Sequence, residues 1–374
     1  MTHPTYPHES LADLPGVAFP ALRQMILTQA TNAKLKVLED APGCLTVETA
    51  HGLIGLRPGT SAETAGMVAA TDERWLFVMK NAVVQQMRMA MPEVAEVMRW
   101  SDGDAEGSLP ANFQFMRVLA VEDLGPVFLR VTLEGEDLSA HGDASIHFRL
   151  VQPPKDAEPE WPSVAANGSI KWPDGPGAPH KPVYTTRSLD HASRTLVTDV
   201  FIHEGGRTTE WAREAQRGER GRNVVGLVGP SGGGILDADN VLMATDETGF
   251  PAAARLLEHL PDSATGDLLL ESEPGAECGY PFAGCDDAGD AGAPGRARLV
   301  RRRKAGCPAV ARCRESGGAG ARKTSNLRLL VRACLRRPAI RRLPVSACWW
   351  VAPGVAADTP CNGATVLPWT TVFP

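Results

Sequence analysis

The stretch from Lys181 to Gln216 constrains what this chain can fold into more than any other. Val183-Tyr184-Thr185-Thr186-Arg187 is a β-branched and aromatic run leaving a Pro- and Gly-rich loop, the composition of a strand. Leu196 to His203 is a second such run, followed by Glu204-Gly-Gly206, Thr208, Thr209 and an amphipathic segment from Trp211 to Gln216. Strand, glycine turn and helix are therefore predicted in that order, with the helix starting near Thr208 or Thr209. A helix start offers free N–H groups and the positive end of the dipole, a natural seat for a diphosphate. Period two puts Thr185 and Arg187 on one face of the first strand and Tyr184 on the other. One ligand meets all three only by lying over a bent or terminal part of the strand, as a large flat cofactor does.

The segments on either side read as sheet. From Asn112 onward, strands are predicted at Phe113 to Val121, Val127 to Leu133 and Ser145 to Val151. The alternation in Val127-Phe-Leu-Arg-Val-Thr-Leu133 marks hairpin-linked antiparallel strands of a sandwich or barrel. Asn223 to Val228 is another strand, closed by Gly229-Pro-Ser-Gly-Gly-Gly234. That glycine run lacks the Gly-Lys-Ser/Thr ending of a phosphate loop. Gly229-x-Ser231-x-Gly233 fits a nucleophile elbow in form, but no helix is predicted after it, and the one downstream His, His259, lies in a predicted helix. A turn into a second domain is the remaining reading. Asn240 to Ala244 is then a short buried strand. A helix follows from Pro251 to Leu260 with Ala253, Leu256, Leu257 and Leu260 on one stripe, and Asp267 to Glu271 is the next strand.

At these motifs the chain resembles the siderophore-interacting proteins, flavin-dependent ferric-siderophore reductases related to the ferredoxin reductases. Tyr184, Thr185 and Arg187 match the family's Arg-x-Tyr-Thr-x-Arg, and His203, Gly206, Trp211 and Ala212 match its His-Gly…Gly-Pro-Ala-x-x-Trp-Ala. Two departures stand out: Pro182 replaces the first arginine, with Lys181 beside it, and the Gly-Pro-Ala turn reads Gly206-Arg207-Thr208. Thr245-Asp246-Glu247-Thr248-Gly-Phe-Pro251 is similar to the family's Gly-Asp-Glu-Thr-Ala-Leu-Pro at the start of its nicotinamide-nucleotide domain. The resemblance implies FAD as cofactor, NAD(P)H as electron donor and a ferric siderophore as substrate. It further implies that Tyr184 stacks on the isoalloxazine, that Thr185 bonds near its reactive nitrogen, and that Arg187 and the turn hold the phosphates. Lys181 or Arg207 replaces the missing charge. No catalytic side chain and no resident metal is expected. Family phrases also match Thr132 to Leu138 and His147, which is left without a role.

Ahead of this lies a small α+β unit: a loose start over residues 1 to 21, a helix from Ala21 to Ala33, strands at Leu53 to Leu56 and Thr64 to Ala69, a helix from Glu73 to Met91, and another opened by Pro92. Ser101-Asp-Gly-Asp-Ala-Glu-Gly-Ser108 reads as a solvated acidic linker, since its EF-hand-like spacing puts Phe113 where a bidentate Glu is required. Gln152 to Pro182, with eight prolines and two tryptophans, reads as a long loop bordering the substrate mouth. The expected division is residues 1–100 as the small domain, 112–236 as a FAD-binding β-barrel and 237–273 as the opening of an incomplete Rossmann-like domain.

Residues 274–374 change character. From residue 275 on, the chain holds 16 of the 38 Lys and Arg but 6 of the 44 Asp and Glu, a net +10 that leaves −16 on the first 274 residues. Seven of the eight cysteines lie there too, with no Cys-x-x-Cys and no His, which argues against zinc. A basic nucleic-acid arm and a shifted reading frame remain, and the shifted frame is preferred because the second half of the nucleotide domain belongs here. A lone cysteine in the first 274 residues and the lack of an apolar spanning run or leader pattern suggest a cytoplasmic protein with no membrane partner, and with the shifted frame preferred no nucleic-acid partner is expected. Reading the coding DNA around codons 265 to 285 in the other two frames is expected to recover a strand–helix pattern ending in Tyr-Trp-like residues. Closed frames in both would favour the basic arm.

Overall fold

A computed structural model describes residues 5–59, 64–103, 106–219, 221–235, 240–261, 264–271, 280–282, 298–301 and 347–351. The first unit is an antiparallel sheet. Its strands are β1 (His8–Asp13), β2 (Lys36–Ala41), β3 (Cys44–Glu48), β4 (Gly52–Arg57) and β5 (Ala65–Ala70), in the order β1-β5-β4-β3-β2. Against it pack α1 (Phe19–Asn32), α2 (Glu73–Ala90) and α3 (Pro92–Val97). Asp72 caps α2 by accepting from the Trp75 N–H at 2.8 Å, and Pro92 opens α3. The expectation of a loose start is corrected: β1 pairs along β5 from His8↔Ala70 to Asp13↔Ala65, because Ala12 and Leu14 have apolar partners to bury against.

The second unit is a seven-stranded antiparallel sheet. Its strands are β6 (Phe113–Leu124), β7 (Phe128–Glu134), β8 (His147–Val151), β11 (Val183–Thr185), β12 (Ser188–Asp190), β13 (Thr195–Phe201) and β14 (Val224–Val228). A separate two-stranded hairpin, β9 (Ser163–Val164) with β10 (Ile170–Lys171), lies within the loop before β11. The order of the large sheet is β11-β8-β14-β6-β7-β13-β12. Its core takes the alternate residues that the sequence pattern singled out: Leu129, Val131 and Leu133 meet Phe148, Leu150, Leu196, Val200, Val225 and Leu227. One helix, α4 (Arg207–Gln216), presses Trp211 and Ala212 onto this core. The edge strands β11 and β12 are separated in the chain only by Thr186 and Arg187. Thr186 N–H bonds to Ile146 on one side, at 2.7 Å, and Arg187 N–H bonds to Val197 on the other, at 2.7 Å. Both ends of the sheet therefore meet at this joint.

The third unit begins with β15 (Asn240–Asp246), α5 (Phe250–His259) and β16 (Thr265–Glu271), the two strands pairing in parallel as expected of a βα unit. Two further strands, β17 (Arg298–Arg301) and β18 (Ala347–Val351), flank them. The readings of the remainder of residues 274–374 lie outside the described residues.

Two expectations about the connections are corrected. The acidic linker is not simply solvated: Asp102 bonds the buried Lys80 ammonium at 2.9 and 3.1 Å and accepts from the Ser10 hydroxyl at 2.5 Å. A buried ammonium requires a counter-charge, and the linker is the segment that supplies it. The 152–182 segment does not run free either. Asn167 donates to the Ala95 carbonyl at 2.8 Å and accepts from the Trp100 indole at 3.1 Å, while the Ile170 N–H bonds to Asn81 at 3.0 Å. Its hairpin fastens the large sheet to α2 and α3.

Burial by itself would raise the Asp102 pKa, but the hydrogen bonds from Ser10 and Lys80 more than offset it and hold the carboxyl below the usual range. Its stabilisation is thus complete above the unfolded carboxyl pKa of about 3.9 and is lost as pH falls through the folded value. At pH 7, Asp102→Ala strands Lys80 without its carboxylate and is expected to cost roughly 2 to 4 kcal/mol by urea unfolding. Lys80→Met is expected to cost less, because Asp102 reaches water.

Candidate functional site

Tyr184, Thr185 and Arg187 sit on three differently directed parts of the β11–β12 segment, because the strand breaks after Thr185. Tyr184 is half-buried over the core of the large sheet, opposite Phe148. Burial pushes its phenol pKa up, and a hydrogen bond from the Thr208 hydroxyl partly offsets this. Thr185 is buried, its Oγ1 3.3 Å from His147 Nδ1, and its carbonyl accepts from Thr198 at 2.9 Å. Arg187 turns the other way. Its guanidinium pairs with both carboxylate oxygens of Glu258 on α5, one of them at 2.7 Å. From the same helix, one turn earlier, Arg255 donates to the Thr186 carbonyl and reaches Asp143 at 3.0 Å. Residues 255 and 258 share one helix face, so α5 grips the joint at two consecutive residues.

The second motif assembles beside Tyr184. The Gly206 N–H closes a turn onto the His203 carbonyl at 2.9 Å, and a Cβ at Gly206 would lie 2.9 Å from that oxygen, so the turn requires glycine. Thr209 Oγ1 accepts from the His203 N–H at 3.0 Å, while the His203 ring stays on the exposed side against the Glu204 carbonyl at 2.9 Å. Thr208 exchanges hydrogen bonds with Gln152, the shorter at 3.0 Å. Trp211 is buried, and its indole N–H has no partner among the described residues. The first backbone bond into α4 is Glu210 N–H to the Gly206 carbonyl, at 3.0 Å, and no side chain caps the helix. The N–H groups of Arg207, Thr208 and Thr209 therefore face out of its start.

Two cationic side chains, Lys181 and Arg207, act on a histidine near this helix start. His180 lies close enough to Arg207 and Lys181 that both, after burial, lower its pKa. Lys181 rests over the Trp172 ring at 5.0 Å. Arg149, whose pKa burial lowers, donates to the Lys181 carbonyl at 3.2 Å. The two residues expected to replace the missing arginine, Lys181 and Arg207, thus both act on His180.

Asp246, Glu247 and Thr248 form a separate turn. Asp246 Oδ1 accepts from the Thr248 N–H at 3.1 Å and from its hydroxyl at 2.6 Å, so these polar groups satisfy one another, and Glu247 is buried. Sequence reasoning passed over several neighbours. Arg130 bonds Asp199 through two nitrogens at 2.8 Å each, and Tyr280 donates to the same carboxylate at 2.6 Å. Tyr280 packs into a ring cluster with Phe128, Phe250 and Phe282. Nothing around Tyr280 in the sequence signals this, since its partners come from three distant segments.

A sequence profile of the siderophore-interacting FAD-binding domain matches residues 117–234. The chain is 35% identical over 152 residues to the NADPH-dependent ferric-chelate reductase of Escherichia coli strain K12, covering 40% of this chain and 57% of that protein. It is 34% identical over 151 residues to the ferric vibriobactin reductase ViuB of Vibrio cholerae, covering 38% and 52%. The chain thus spans about half the length of these curated relatives. A siderophore utilization protein from T. fusca overlays with a TM-score of 0.40 at 22% identity, over 63% of this chain and 80% of that one. Residues 117–234, which hold most of the large sheet and α4, are thus similar to the siderophore-interacting FAD-binding domain.

The residues present fit the FAD that such a domain implies. Thr186 Oγ1 and Arg187 Nε are buried polar atoms with no partner among the described residues, and the uncapped start of α4 adds three outward N–H groups.

Burial dominates the histidines near the site. It lowers the pKa of His141 to about 4 and that of His147 to about 3, below the unfolded value of about 6.5. As pH falls below 6.5 the unfolded chain takes up these protons first, so stability drops toward pH 4, above the window in which Asp102 loses its contribution. Urea midpoints measured from pH 7 to 4.5 are expected to fall steadily, and His141→Leu to remove about 2 kcal/mol of that loss.

Proposed function

We propose that this chain binds FAD against β11 and α4 and serves as a ferric-siderophore reductase, passing electrons from NAD(P)H to chelated ferric iron. The observation that carries the proposal is the uncapped start of α4, with His180, Lys181 and Arg207 around it and the Tyr184 phenol beside its first turn. When bound, FAD supplies the acceptance of a hydride and the release of single electrons. The chain's own residues bind and orient. The N–H groups of Arg207, Thr208 and Thr209 hold the diphosphate with help from the Lys181 and Arg207 charges. Tyr184 offers a ring face to the isoalloxazine, and Thr185 holds a hydroxyl at its edge. Gly206, His203 and Trp211 fix the turn that aims the helix. Asp246, Glu247 and Thr248 shape the βα turn where the nicotinamide nucleotide enters. Hard oxygen ligands hold ferrous iron less tightly than ferric iron, so the reduced metal leaves its chelate.

One observation favours a second reading, a flavin-binding protein without reductase activity. Among the described residues, the parallel part of the third unit offers a single complete βα unit for the nucleotide, β15-α5-β16.

The purified chain is expected to hold FAD, absorbing at about 450 nm, and Tyr184→Ala to weaken retention roughly tenfold. Under anaerobic conditions the reductase reading expects NADPH or NADH to bleach the flavin within seconds and a ferric chelate to restore the colour. Bleaching by dithionite alone selects the second reading. A chain that stays colourless with excess FAD refutes both.

A further inference from the structure

Behind Thr185 lies a buried imidazole that the reading above leaves without a role. His147 is 2% exposed and Thr185 7%, and their side chains share a face because the two residues pair across β8 and β11. His147 Nδ1 is 3.3 Å from Thr185 Oγ1. The opposite edge of the ring faces the glycine turn after β14: a Cβ at Gly233 would lie 2.3 Å from Cδ2 and 2.6 Å from Nε2. Gly233 also adopts φ +71, a conformation that disfavours a side chain. The turn is fastened over the ring by Ile146 N–H to Gly233, His147 N–H to Gly232 and Ser231 N–H to the His147 carbonyl, at 2.6, 3.0 and 2.8 Å. The imidazole is thereby held between this turn and β11.

Its protonation pattern follows from what faces it. The ring also bonds the Tyr184 backbone carbonyl, which can only accept, so the nitrogen on the β11 side carries the hydrogen. That nitrogen is Nδ1, since Nε2 lies on the glycine side. A protonated Nδ1 cannot accept from Thr185. The Thr185 hydroxyl hydrogen is left to point elsewhere.

We infer that His147, as its neutral Nδ1–H tautomer, is a positioning residue that fixes the Thr185 hydroxyl as a hydrogen-bond donor toward the reactive edge of the flavin. The inference rests on the flavin reading of the site. An oxidised flavin offers a lone pair at its reactive nitrogen, which a fixed donor matches. A hydroxyl that instead gave its hydrogen to the imidazole would present only lone pairs there. Burial supports the assignment, because it keeps the imidazole uncharged well below neutral pH. The other charged group that acts on this ring is Arg255, which also disfavours a second proton.

The test uses the full chain labelled with 15N-histidine, with and without FAD. In the flavin-free protein, the His147 signals, identified by their loss in His147→Asn, are expected to report a neutral Nδ1–H ring that does not titrate from pH 8 to 5. An Nε2–H ring, or titration in that range, overturns the inference while leaving the flavin reading intact. With FAD bound, His147→Leu is expected to shift the visible flavin band and its reduction potential and to weaken FAD retention roughly three- to tenfold. His147→Asn, whose amide places an N–H near the Nδ1 position, is expected to restore the band and the potential. In a Thr185→Val background, His147→Leu is expected to have no further effect on either. An unchanged band and potential in His147→Leu with FAD bound, or an equal shift in the Thr185→Val background, refutes the positioning role. If His147→Leu does not fold, the histidine spectra and His147→Asn decide. A wild-type chain that takes up no FAD overturns the flavin reading, and the inference falls with it.

Discussion

The break between Thr185 and Ser188 is the constraint on which the rest of the site depends. On either side of this break the segment pairs with different strands, β11 with β8 and β12 with β13. By turning at Thr186 and Arg187, the chain bonds Ile146 on one side and Val197 on the other, so the two ends of the sheet order meet. Turning also frees polar groups from the ladder, and α5 takes two of them: Arg255 the Thr186 carbonyl, Glu258 the Arg187 guanidinium. Burial alone would lower the Arg187 pKa, and the Glu258 carboxylate beside it more than offsets that. The joint therefore couples the large sheet to the βα unit through a charge pair that is mostly shielded from water.

A comparable logic fixes the first unit. Lys80 is placed on the inner face of α2, where an ammonium has no water to solvate it. Asp102 answers it from the connecting segment and also holds Ser10 on β1. The Asn167 contacts with Ala95 and Trp100 tie the loop of the large sheet to the same region. An acidic, glycine-rich composition that signals solvation in isolation thus acts as a counter-charge once a buried cation stands opposite it.

The proposed cofactor seat is built from groups that are weak alone. A three-residue strand places Tyr184, a glycine turn exposes three N–H groups, and Lys181 and Arg207, which both act on His180, come from a loop and a helix start. Together they supply a flat ring, hydrogen-bond donors and positive charge, the three things a flavin dinucleotide needs from its host.

Much of this was legible in the sequence because it depends on near neighbours. Period-two alternation in Val127 to Leu133 marked the core strand, the glycine turn after His203 marked the start of α4, and Pro251 with its leucine stripe marked α5. What could not be read there were the pairings between distant residues. His147 and Thr185, Arg187 and Glu258, Lys80 and Asp102, and Tyr280 and Asp199 are separated by 38, 71, 22 and 81 positions. Local propensity sets whether a residue lies on a strand or a helix. Which buried polar group meets which is decided only when the sheet register and the packing of α2 and α5 bring them within hydrogen-bonding reach, since a buried donor or charge is stable only with the partner that tertiary structure delivers.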